Sequence, residues 1–154
     1  ERVRAQLIAD LQGTEFRING DPSRSQPHVL NVSFPGVDSE ALMIALRGEL
    51  AVSNGAACTS QRYGSSHVLE AMGLGPEIIT SAVRLSWGPG VTAIPTAALR
   101  DARRGLLERQ RYLAAVLDNV ATGVMAIDRD GRITTINPPG ERILRLEGAA
   151  VLVP

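Results

Sequence analysis

Cys58 is the single cysteine of the chain, set in a run of small and hydroxylated residues, Val52-Ser53-Asn54-Gly55-Ala56-Ala57-Cys58-Thr59-Ser60. Small neighbours leave a sulfur accessible, and the thiolate is its reactive form, which a guanidinium such as that of Arg62 favours. A lone cysteine is also commonly a small buried hydrophobe, so the residue types alone leave both readings open. One thiol excludes an internal disulfide and a multi-cysteine zinc or iron–sulfur site. The two histidines, His28 and His67, stand far apart without spaced carboxylate or thiolate partners, so no metal site is expected. All sixteen basic residues are arginine. Arginine stays protonated, whereas lysine can form a Schiff base. Chemistry that needs a lysine must therefore take it from outside these residues.

The elements that position Cys58 read as an irregular α+β mixture. Val3, Leu7, Ile8 and Leu11 have helical spacing, and Gly13 ends that helix. Phe16 and Ile18 alternate with polar neighbours as a short strand closed by Asn19-Gly20. Residues 21–27 form a polar loop, and His28 to Phe34 form a strand stopped by Pro35-Gly36. Asp38 caps a helix whose apolar face is Leu42, Met43, Ala45 and Leu46. Leu50 to Ser53 is a short strand, and Asn54 to Ser65 is the loop that holds Cys58. Ser66 caps a helix carrying Val68, Leu69 and Met72. A turn over Pro76–Thr80 leads to the strand Ala82 to Trp87, closed by Gly88-Pro89-Gly90.

Residues 96–119 predict one long helix. Leu99, Leu106, Leu113 and Val120 recur every seven residues, but the companion positions Ala102, Arg109 and Val116 are mixed. Packing on its own domain is favoured slightly over a coiled coil with a second copy. Val124, Ala126 and Ile127 then form a strand, Asp128-Arg129-Asp130-Gly131 a turn, and Ile133, Thr135 and Ile136 a return strand. Glu141 to Leu146 is a short helix. A hairpin and one helix bury too little apolar surface to stand alone.

The bulk composition narrows the classes. The chain has 154 residues, 44% of them hydrophobic and 21% charged, enough for one domain or two small ones. Sixteen basic and sixteen acidic residues leave no net charge, so neither nucleic acid nor a membrane surface is an expected partner. No apolar run reaches the ~20 residues of a membrane-spanning helix. The cysteine usage agrees with a cytoplasmic location. The chain opens on Glu1 rather than methionine, which is expected of a piece of a longer protein.

Four blocks carry a resemblance: LNVSFPGVDSEALMIAL (Leu30 to Leu46), AVSNGAACTS (Ala51 to Ser60), SSHVLEAMGL (Ser65 to Leu74) and SAVRLSWGPGVT (Ser81 to Thr92). In this order and spacing they resemble the C-terminal part of a cysteine desulfurase, a class V aminotransferase-like enzyme of fold-type I that uses pyridoxal phosphate. The wording is nearest to the long-loop subgroup, in desulfurases of DNA phosphorothioation and of iron–sulfur-cluster assembly. The resemblance implies that Cys58 attacks the substrate's sulfur and becomes a persulfide, and that Arg84 grips the substrate carboxylate. A planar guanidinium fork suits bidentate carboxylate binding, although residue type alone fits an ordinary ion pair equally. Asn54 stands where the family commonly has serine. The resemblance also implies a sulfur-acceptor protein as partner, while a homodimer is an expectation left open by the long helix. The cofactor lysine of the family has no counterpart here, so the chain is expected to be inactive alone.

The string YLAAVLDNVATGVMAIDRDGRITTINPPGERILRLEG (Tyr112 to Gly148) resembles the opening of a PAS domain of sensor histidine kinases. The expected organisation is thus a desulfurase C-terminal domain over 1–104, a connector helix over 105–119 and a truncated PAS-like segment over 120–154. Three functions follow: half of a sulfur-transfer site, a regulatory module joining a desulfurase-like domain to a sensory one, or a chimera without function.

Overall fold

A computed structural model describes residues 1–54 and 66–144; the segment holding Cys58 and Arg62, and residues 145–154, lie outside the described residues. The described chain is mixed α+β and divides into two compact units, Glu1–Leu107 and Glu108–Pro154.

The first unit is built on a three-stranded antiparallel sheet in the order β1 (Arg17–Ile18), β2 (Val29–Ser33), β3 (Ala82–Ser86). Strict alternation sorts each strand's side chains onto two faces. One face carries Leu30, Val32, Val83 and Leu85, all buried. Helix α1 (Arg2–Asp10) adds Leu7, and Leu11 beyond its end; α2 (Ser39–Ala45) adds Leu42, with Leu46 just after it; α5 (Thr96–Asn119) adds Leu99. With Phe34 these residues form one apolar core. The other face carries Asn31, Ser33 and Arg84.

Polar contacts fix the helices on this frame. Asp38 Oδ1 accepts from the Ala41 N–H at 2.9 Å and caps α2. Asp10, at the end of α1, accepts from Thr96 Oγ1 at 3.0 Å and from Gln6 Nε2, which joins α1 to the start of α5. Arg4 donates to the carbonyls of Pro22, Gln26 and Val29 and clamps the polar loop over 21–27 against α1. Within that loop Asp21 caps the short turn Pro22–Arg24, and the Ser23 hydroxyl and N–H hold its carboxyl below the usual carboxylate range.

Four expectations change. Leu50 to Ser53 is not a strand, since only Ser53 reaches the register of β3, as a single bridge to Arg84. Ala45 points outward from α2, whose inward stripe is Ser39 and Leu42. Helix α3 (His67–Ala71) is too short to bury a stripe: only Leu69 is inside, while Val68 and Met72 are exposed. Pro76–Thr80 is a short helix, α4, where a turn was expected.

The second unit takes in the end of α5, the hairpin β4 (Met125–Ile127) and β5 (Ile133–Ile136), and α6 (Pro138–Leu144). The hairpin closes through Asp128, whose Oδ1 accepts from the N–H groups of Asp130 and Arg132, with Gly131 at φ 80°. That positive φ costs glycine little. Gly123 and Gly140 stand in contact: a Cβ on Gly123 would lie 3.0 Å from Gly140 Cα.

The two halves of the long helix differ. Its first half packs on its own domain through Leu99, Ala102, Leu106 and Leu107. In its second half Tyr112, Leu113 and Val116 are exposed.

Candidate active site

Arg84 sits at the middle of β3 with an exposed side chain. Its backbone is paired on both sides. Towards β2 it stands opposite Asn31. On the other flank it exchanges two hydrogen bonds with Ser53, Arg84 N–H to Ser53 C=O and Ser53 N–H to Arg84 C=O. Ser53 is thus held at the register of Arg84 immediately before the segment that contains Cys58. The two residues singled out in sequence stand far apart in the chain, yet the sheet brings Arg84 to the root of the cysteine segment. Cys58 itself lies outside the described residues.

The guanidinium of Arg84 makes no ion pair or hydrogen bond with another described residue. Other arginines nearby in sequence are committed: Arg103 faces Glu15 at 3.6 Å, and Arg104 faces Asp101 at 2.9 Å. An uncommitted fork on a rigid strand can take an anionic ligand in two parallel N–H···O bonds.

A groove of about 650 Å³ runs along the same root, lined by Ile44 and Arg47 near the end of α2 and by Leu50, Val52 and Asn54. Ile44 is 65% exposed on its rim. His67 opens α3 and His28 precedes β2. Among the described residues no group of three or more His, Cys, Asp or Glu could hold a metal ion, and no helix is long and apolar enough to cross a membrane.

Two polar features escape a reading of the sequence. The first is the pair Asn19 and Asn31, whose side chains meet at 2.7 Å beside Arg84. The second is Asn137, 2% exposed at the centre of the second unit. Its Oδ1 accepts from the N–H groups of Val124 and Gly140, and its Nδ2 donates to the carbonyls of Leu117 and Thr122. In sequence Asn137 lies within the stretch that resembles a PAS domain, and Asn19 and Asn31 show only as asparagines at a strand or its edge, where asparagine is depleted.

Known proteins resemble the chain in sequence and in fold. The cysteine desulfurase IscS of Vibrio cholerae is 36% identical over 124 residues, which are 80% of this chain and 30% of that protein. The cysteine desulfurase IscS of Methylococcus capsulatus is 44% identical over 93 residues, 60% of this chain and 23% of that protein. The chain therefore spans about a quarter to 30% of the length of these relatives. A solved NifS-like protein superimposes with a TM-score of 0.50 at 24% identity, covering 71% of this chain and 27% of its own, and so shares the fold. Residues 111–153 match the PAS domain family. The chain is thus similar to part of the cysteine desulfurases in sequence and shares the fold of part of a NifS-like protein, and the stretch that matches the PAS domain family begins inside its long helix.

Proposed function

We propose that residues 1–104 form the small domain of a cysteine desulfurase, in which Cys58 receives sulfur and Arg84 holds the substrate's carboxylate. Residues 105–119 then act as a connector and 120–154 as part of a PAS domain. In the transfer, a new S–S bond forms at Cys58 Sγ while the C–S bond of a substrate cysteine breaks. The released electron pair and a thiol proton end on the carbon, so cysteine becomes alanine and Cys58 becomes a persulfide. A sulfur-acceptor protein takes the terminal sulfur onward.

The carrying observation is the double backbone hydrogen bond between Ser53 and Arg84. Cys58 follows Ser53 by five residues, and a chain reaches at most ~3.6 Å per residue, so connectivity keeps it within ~18 Å of Ser53. The segment that carries the thiol therefore starts beside the strand that carries the proposed carboxylate-binding fork. The arrangement suits a reaction in which one end of a small amino acid is gripped while a sulfur approaches the other.

Pyridoxal phosphate does not fit the side chains of this chain as a covalently held group, because none of its 154 residues is lysine. The residues described here act on the substrate only, and the cofactor's attachment comes from elsewhere. Incubated with L-cysteine alone, the chain is expected to release no sulfide. Supplied with a pyridoxal-phosphate domain that provides the lysine, it is expected to gain one sulfur atom on Cys58, read by mass spectrometry. Turnover with Cys58→Ala intact would overturn the assignment. Rapid alkylation of Cys58 in the folded chain is the companion expectation, and labelling only after denaturation would make it a buried thiol. The PAS match favours a second reading, a signalling module that uses the desulfurase-like unit as a regulated partner.

A further inference from the structure

The polar face of the sheet carries a second polar side chain, Asn31, opposite Arg84. Arg84 gives both its backbone N–H and its C=O to Ser53. Its pairing with Asn31 is therefore the non-hydrogen-bonded kind of antiparallel pair, in which opposed residues stand closest, with Cα atoms about 4.5 Å apart. Opposed residues share a face of the sheet. Asn31 in turn gives its carbonyl to the N–H of Asn19. Asn19, Asn31, Arg84 and Ser53 thus form one row across the sheet, and the row ends where the cysteine segment begins.

The amide orientation within that row is set by its neighbours. Asn19 Nδ2 donates to Asn31 Oδ1 and to Ser33 Oγ, each at 2.7 Å. Ser33 Oγ donates onward to the Ile78 carbonyl at 2.7 Å. With its oxygen turned to Asn19, the Asn31 amide must present its NH2 group on the other side. That group has no partner among the described residues, and neither has the Arg84 guanidinium. A carboxylate held by two guanidinium N–H bonds keeps further lone pairs on its oxygens, and a neutral amide donor from the adjacent strand can take one of them.

We propose that Asn31 Nδ2 is a second donor to the carboxylate gripped by Arg84, with Asn19 as the positioning residue that holds the amide donor-outward. The seat recognises its ligand by the carboxylate. It rests on the assignment of Arg84 as the carboxylate-binding residue.

The test is a titration of the ¹⁵N-labelled chain with L-alanine, and in parallel with ethylamine, which lacks the carboxylate. The Arg84 Nε–H and Asn31 Nδ2 resonances should move together and saturate with L-alanine, and stay in place with ethylamine. Asn31→Ala should weaken L-alanine roughly tenfold, as expected for loss of a hydrogen bond to a charged group, while the amide spectrum keeps its dispersion. Asn19→Ala should weaken it less, because the donor remains but loses its orientation. Movement of Arg84 without Asn31 overturns the inference and leaves Arg84 in its role. No movement of either overturns both.

Discussion

Single residues do different kinds of work in the two units. Arg84 is exposed and uncommitted, so its guanidinium is available for a ligand rather than for the fold. Asn137 is the reverse case, with both its amide oxygen and its amide nitrogen engaged by backbone groups. Leaving buried backbone donors and acceptors unpaired costs about 1–3 kcal/mol each. Asn137→Ala strands several of them at once, and is expected to unfold the hairpin and α6 while the first unit keeps its dispersed spectrum. A ¹⁵N–¹H spectrum that retains the β4 and β5 signals would contradict this. Neither role shows in the residue types, because an arginine and an asparagine look alike in sequence whether free or fully bonded.

The elements mattered through their ends as much as their spans. Helix α2 begins where the Asp38 carboxylate meets the Ala41 N–H, and it carries the groove-lining Ile44 beside the root of the cysteine segment. Asp38→Ala is expected to cost about 1 kcal/mol, seen as a lower denaturation midpoint at an unchanged slope. An unchanged midpoint would mean that the tertiary contacts of Leu42 and Leu46 hold the helix start unaided. Legibility was greatest for elements with long periodic patterns. Helix α5 was expected over 96–119 and occupies that range. It was least for short segments such as Leu50 to Ser53, whose β-like composition fits a strand but which touch β3 at one residue only. A strand is a property of the partner as well as of the sequence.

At the scale of the molecule the chain consists of two units joined within one helix, with the division at Leu107. The second half of α5 leaves Leu113 54% and Val116 42% exposed. Pairing of two copies through this face would show in sedimentation as a dimer that Leu113→Glu with Val116→Glu converts to monomer. A wild-type monomer at micromolar concentration would end that proposal. The sequence alone determined the lone thiol, the absence of lysine, the neutral charge balance and the four blocks that carry the desulfurase resemblance, because these are matters of residue identity and order. Only the tertiary structure decided that Ser53 pairs with Arg84, that Asn19 and Asn31 complete a polar row beside it, and that Asn137 holds the second unit together. Each of those depends on register, and register is set by the burial of the opposite sheet face and by hydrogen-bond partners distant in sequence.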